Sequence, residues 1–183
     1  MFQIRIHGRG GQGVVTGAEM LSIAAFEQGQ HAQAFPSFGS ERTGAPVVAF
    51  CRLSDALIIQ DPTLLHQVDV FQGLQPDGYV LINSTRSFDQ LGVGDFVRQF
   101  RRERLCNVPA SEIARAHVGR PLPNAALLGG FAAISGLISL DAVVHAIRDK
   151  FAGAVAEGNA AAAAEAFAYV KKEVEELAHA QTD

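Results

Sequence analysis

The 183-residue chain has only two cysteines, Cys51 and Cys106, no tryptophan and two tyrosines. Neither cysteine sits in a CxxC or CxxxC pair, which excludes a four-cysteine iron–sulfur site within the chain and points to a reducing compartment with two ordinary buried thiols. Positive charge is also scarce. Fifteen Lys and Arg against nineteen Asp and Glu give a formal net charge of −4, and the one basic run, Arg98 to Arg104, reads as a solvated or subunit-facing patch. Nucleic-acid binding needs a basic stripe that displaces counterions, so it is not expected. No apolar run is long enough to span a bilayer, and the segment from Met1 to His7 lacks the basic start and longer apolar core of a signal peptide. The expectation is a cytoplasmic protein with no membrane contact.

Familiar catalytic signatures are missing too. There is no GxxxxGK[ST] loop, no GxSxG elbow and no HExxH pair. The six histidines, His7, His31, His66, His117, His145 and His179, are scattered. His7 alone is well placed, beside a glycine loop, and its expected state is partly buried and hydrogen-bonded. No catalytic residue and no metal ligand is assigned to the chain.

What the sequence does contain is a hydrophobic fraction of 48% with 19% charged residues, enough for one domain of 1–183 with some apolar surface left for partners. Phe2 to His7 reads as a strand that empties into Gly8-Arg9-Gly10-Gly11-Gln12-Gly13. Val14 to Gln28 then carries apolar residues at helical spacing, with Gly29 as a stop. His31 to Phe35, Val47 to Leu53 and Leu57 to Gln60 read as strands. Val68 to Leu74 and Tyr79 to Asn83 are two apolar runs joined by the turn Gln75-Pro76-Asp77-Gly78. Leu105 to Pro109 suits another strand and Ser111 to His117 a short helix. Asn124 to Gly136 is apolar nearly all round and should be a buried helix. Ser139 is placed to cap the next helix and Asn159 the last one, which should be an outer helix packing by one edge. These elements predict an α/β fold, a largely parallel sheet with helices on both faces and a Rossmann-like start.

Gly8-x-Gly10-x-x-Gly13, between a strand and a helix, lets backbone N–H groups and a helix N-terminus face an anion. The dinucleotide fingerprint also needs an acidic residue about 20 positions on, where this chain has Gln30-His31-Ala32-Gln33-Ala34-Phe35-Pro36 and no carboxylate. Three readings stay open: a tight turn that only packs, Arg9, Gln12 and loop amides meeting a phosphate or a neighbouring subunit, and a free-standing nucleotide-binding enzyme or sensor. A second constellation, Phe35 to Pro46, holds two prolines, two glycines, two aromatics and Glu41-Arg42, more than a linker requires. Phe38, Ser40, Glu41 and Arg42 are candidates for an interface, with Arg42 supplying a planar charged fork.

Together, the His-Gly-Arg-Gly-Gly-Gln-Gly start and the Phe-Pro-x-Phe-Gly-x-Glu-Arg-x-Gly-Ala-Pro loop resemble the γ subunit of 2-oxoacid:ferredoxin oxidoreductases. The resemblance spans nearly the whole chain. Asp77-Gly78 before a strand and Asn124-x-x-Leu127-Leu128-Gly129 also fit, and the Glu41 to Pro46 version of the loop is similar to the pyruvate type, with Thr43 departing from the usual Arg. The resemblance implies oxidative decarboxylation of a 2-oxoacid, pyruvate foremost, to acyl-CoA and CO2 with reduction of ferredoxin. It implies α, β and ferredoxin-like δ companions that hold thiamine diphosphate, Mg²⁺ and [4Fe–4S] clusters. This chain binds none of these; Gly94-Asp95 is followed by Phe96, so the Gly-Asp-Gly pattern for the diphosphate-bound magnesium is absent. Arg9 and the Gly10 to Gly13 amides are then candidates for lying near the CoA approach.

Overall fold

A computed structural model describes residues 4–29, 34–37, 45–51 and 56–180. The strand-forming runs become β1 (Ile4–Arg9), β2 (Ala34–Ser37), β3 (Pro46–Cys51), β4 (Ala56–Ile59), β5 (Tyr79–Asn83) and β6 (Leu105–Val108). They form one six-stranded sheet in the order β2-β3-β1-β4-β5-β6. β1, β4, β5 and β6 run parallel, while β3 is antiparallel to both β1 and β2. The β4 run Ala-Leu-Ile-Ile is buried at every position, as expected of a parallel strand covered on both faces.

Helices α1 (Val14–Glu27), α3 (Ala110–Val118), α4 (Asn124–Ser135), α5 (Leu140–Lys150) and α6 (Gly153–Ala180) bury their apolar residues in one cluster with Ile4, Ile6, Ile58 and Leu81. The opposite face, with Leu57, Ile59, Val80 and Ile82, is covered by the 3-10 turn Pro62–His66, the segment 68–74 and the single-turn helix α2 (Gly94–Val97). Helices therefore lie on both faces, unequally. The crossover leaving β1 goes to the first face and the one leaving β4 goes to the second. Adjacent parallel strands whose crossovers part in this way leave a crevice at their carboxyl ends.

Three expectations fail and one holds in a measurable way. Val68 to Leu74 is not a strand but a series of turns that buries Val70 against the sheet; an apolar run this short fits either state, and Gly73 at φ +75° interrupts it. Asn159 is not a cap. α6 starts at Gly153, and Asn159 lies inside it, donating from Nδ2 to Val155 O at 2.8 Å. Nor does α6 pack by one edge only, since Ala156, Ala160, Ala162, Ala163 and Ala166 are all buried. Ser139 does cap α5, accepting from Ala142 N–H at 3.1 Å. Ser139→Ala should cost about 1 kcal/mol, a melting-temperature drop of about 2–4 °C; thermal unfolding followed by circular dichroism checks it, and an unchanged midpoint refutes the cap's importance.

Candidate functional site

The crevice between the ends of β1 and β4 holds the glycine loop. A side chain at Gly8 would place a Cβ 2.6 Å from Val14 Cγ2 and 2.9 Å from Gln12 Oε1. Gly13, at φ +72°, is the N-cap of α1, and a Cβ there would lie 2.6 Å from Asn124 Nδ2. Both positions demand glycine, one for space and one for a left-handed backbone as well. The loop is closed by its own bonds: Arg9 N–H donates to Gln12 Oε1 at 2.7 Å, Gln12 N–H to Arg9 O at 3.1 Å and Gly10 N–H to Ala45 O at 2.9 Å.

Arg9 crosses the crevice. Its Nε donates to Asp61 Oδ2 at 2.8 Å, and its Nη2 to Thr63 Oγ1 at 2.8 Å and Gln67 Oε1 at 2.9 Å. Asp61 sits two residues past the end of β4 and in turn accepts from the Thr63 amide and hydroxyl at 3.0 and 2.7 Å through Oδ1. Burial alone would raise the Asp61 carboxyl; the Thr63 bonds and the Arg9 guanidinium outweigh it and hold the group below its usual value. The guanidinium is thus pre-oriented and partly neutralised by a carboxylate that the sequence reading did not single out.

A polar seam continues behind the loop. Asn83, at the end of β5, donates from Nδ2 to Gln60 O and to Ser111 Oγ, both at 2.8 Å, and accepts from Ser111 N–H at 3.0 Å. These bonds fasten β4, β5 and the start of α3 together. Gln60 is 2% exposed with Oε1 unpartnered. His7 differs from expectation: it is 6% exposed, and neither ring nitrogen has a hydrogen-bond partner. Burial first, and the nearby Arg5 charge second, lower its pKa from 6.5 to about 4, so it is a neutral imidazole at pH 7.

Gly8, Arg9, Gly10, Gly11, Gln12 and Gly13 are therefore brought together at the crevice. Phe38, Ser40, Glu41 and Arg42 lie outside the described residues. Asp61, Thr63, Gln67, Asn83 and Asn124 were missed; the available signal was Asp61-Pro62-Thr63 immediately after a strand, a sequence suited to a capped turn. Among the described residues no group of three or more His, Cys, Asp or Glu could hold a metal. Cys106 is buried and its thiol is pushed up to about 12, by burial first and then by the Glu173 charge. Two cysteines, one held protonated, do not fit the four thiolates of an iron–sulfur cluster.

Residues 3–169 match the family model for pyruvate ferredoxin/flavodoxin oxidoreductase, and the chain belongs to that family. Its relatives are subunits of multi-subunit oxidoreductases. The chain is 42% identical to the pyruvate synthase subunit PorC of Methanothermobacter thermautotrophicus, over 94% of this chain and 97% of that one. It is 41% identical to the pyruvate/ketoisovalerate oxidoreductases common subunit gamma of Pyrococcus furiosus, over 97% and 100%. The crystal structure of pyruvate oxidoreductase subunit PORC from Thermotoga maritima is similar to it with a TM-score of 0.77 and 33% identity, covering 91% of this chain and 94% of that one. No helix among the described residues is long and apolar enough to cross a membrane.

Proposed function

We propose that the chain, as one γ-type domain of 183 residues, is the γ subunit of a cytoplasmic 2-oxoacid:ferredoxin oxidoreductase that acts foremost on pyruvate and yields acyl-CoA, CO2 and reduced ferredoxin. The observation that carries this is the end-to-end match to γ and PorC subunits at about 40% identity. Thiamine diphosphate with Mg²⁺, and the [4Fe–4S] clusters, belong in this reading to α, β and δ-type companions, because two cysteines cannot supply a cluster's four thiolates and no group of three or more His, Cys, Asp or Glu among the described residues could hold a metal. When bound, those groups supply carbanion and electron-transfer chemistry; this chain supplies shape and position. Phe38, Ser40, Glu41 and Arg42 serve as part of the interface with a companion.

The glycine loop faces the CoA approach in this proposal. The α1 N-terminus presents amides suited to a phosphate, and Arg9, 26% exposed while clasped to Asp61, adds charge of the right sign and fixes the loop. Arg9→Ala in the reconstituted assembly should raise the KM for CoA by roughly tenfold, the size of one charge-assisted hydrogen bond, and leave the 2-oxoacid KM unchanged. Asp61→Asn separates two roles: it removes the ion pair and weakens the clasp but keeps the guanidinium, so it should preserve the CoA response. An Arg9→Ala enzyme with unaltered CoA kinetics removes the assignment.

Omitting the chain from the reconstitution should abolish 2-oxoacid-dependent viologen reduction. The rival reading, a free-standing nucleotide-binding protein, predicts that NAD(P), FAD or a nucleotide at a hundred times Kd stabilises the isolated chain by about 2.7 kcal/mol. Absence of any thermal shift with those ligands counts against it.

A further inference from the structure

The two faces of the sheet are covered unequally, and the thinner cover keeps aromatic surface in solvent. On the second face, Phe96 of α2 is 41% exposed, although its ring packs on Phe71 at 4.4 Å and on Phe100 at 5.7 Å between centroids. Val68, on the same segment as Phe71, is exposed as well. A lone exposed phenylalanine is ordinary, but three rings in contact form a continuous apolar strip. Beside Phe100 a cavity of about 390 Å³ opens, walled by Phe88, Val97, Arg98, Phe100 and Arg102 among others. Asp89 is the one carboxylate on its wall.

The strip leads into the basic run. Arg98, Arg101, Arg102 and Arg104 against Glu103 leave residues 98–104 at +3, in a chain whose net charge is −4. Arg102 donates to Leu105 O at 3.1 Å and lies over the Phe88 ring, while Arg104 donates to Asp77 O and lies over Tyr79. Carbonyls and rings hold these two guanidiniums without cancelling their charge. Arg101 is exposed and has no partner among the described residues. Arg98 pairs with Asp95 at 2.9 Å, but both side chains stand in solvent, where such a pair is weak and exchanges readily. A purely apolar partner would strand the guanidiniums. A second copy related by a two-fold axis would bring two arginine runs together. Nucleic acid requires a wider basic stripe than one run in an acidic chain. Carboxylates around an apolar anchor match both the strip and the charge.

We propose that this surface docks an acidic segment of a companion polypeptide, with its apolar anchor on Phe96 and the neighbouring cavity and its carboxylates on Arg98 and Arg101. The proposal rests on the γ-subunit reading and deepens it. An incoming carboxylate replaces Asp95 on Arg98. Arg102 and Arg104 keep their present bonds and add to the positive field that steers the encounter. Residues 98–104 lead into the amino end of β6, whereas the glycine loop leaves the carboxyl end of β1, a strand that runs parallel to it. The docking surface and the glycine loop therefore lie at opposite ends of the sheet, and the CoA assignment is independent of it.

Titrating the chain into an assembly that lacks it tests this, with incorporation followed by co-elution on gel filtration and by 2-oxoacid-dependent viologen reduction. The double variant Arg98→Glu, Arg101→Glu should raise the half-saturating chain concentration at least about tenfold. The neutral pair Arg98→Gln, Arg101→Gln should raise it less, and salt at about 0.5 M should shrink the gap between the two. Phe96→Ser should raise it by about tenfold as well, with an unchanged melting temperature. At saturating concentration every variant should reach the native rate. Lys171→Glu, an exposed position on α6, is the control and should titrate as the native chain does. Unchanged titration in the arginine and phenylalanine variants, or charge reversal no worse than neutralisation, overturns the proposal. So does a native chain that sediments alone as a dimer while Phe96→Ser sediments as a monomer, because a second copy then covers the strip. A native chain that fails to restore activity removes the subunit reading, and this docking site with it.

Discussion

Gly129→Ala should lower the melting temperature by about 6–12 °C, although alanine is the better helix former. α4 and α6 cross so closely at this point that a Cβ on Gly129 would lie 2.0 Å from Ala163 O, 2.6 Å from its carbonyl carbon and 2.8 Å from its Cα. All three atoms are backbone, so no rotamer relieves the clash and the two helices must separate. Separation loosens the alanine face of α6, where Ala162, Ala163 and Ala166 are at most 1% exposed, and forfeits dispersion contacts along it. A cost of about 3 kcal/mol follows from overpacking of this kind, and for a chain of this size each kcal/mol moves the midpoint by about 2–4 °C. The neighbouring Gly130→Ala is the control. Its Cβ would meet side-chain methyls alone, Leu81 Cδ2 and Val170 Cγ2 at 3.3 Å and Val108 Cγ2 at 3.6 Å, so its effect should be small. Equal midpoints for the two variants would contradict the account.

Acidification should produce the second large effect. The His7 imidazole takes a proton near pH 4 in the native state and near 6.5 in the unfolded chain. Between those values the unfolded state binds more protons, so stability is complete above pH 6.5 and falls as pH drops towards 4. At about 1.4 kcal/mol per pH unit the loss approaches 3 kcal/mol. Asp61 acts in the same direction only at lower pH, because its depressed carboxyl protonates below its ordinary value of 3.8. Urea unfolding at pH 7 and pH 4 in the native chain and in His7→Leu distinguishes the two groups. The substitution should flatten the pH dependence across this window; parallel losses in both proteins would assign the effect elsewhere.

These predictions also mark where sequence reading stopped. The glycine loop, the α1 and α4 helices and the Ser139 cap were legible because their signals are local: a turn chemistry, a periodicity, a side chain three residues from its amide. The family resemblance was equally legible, resting on two short motifs. The Arg9 clasp was not, since its partner lies 52 residues away and nothing in either segment names the other. His7 misled for the same reason. A histidine at a strand end is usually satisfied, and only the packed strands on either side of β1 show that this one is enclosed without a partner. Asn159 carried a genuine cap signal, yet tertiary burial of the alanine run extended the helix past it.

The clasp has a mechanical meaning for an assembled enzyme. One guanidinium joins the exit of β1 to the exit of β4, while Gly10 N–H reaches across to Ala45 O next to β3. A push delivered by any neighbour onto residues 61–67 is thereby transmitted to the first turn of α1 as a rigid displacement, so the two segments should exchange their amide hydrogens in concert and lose that synchrony in Asp61→Asn.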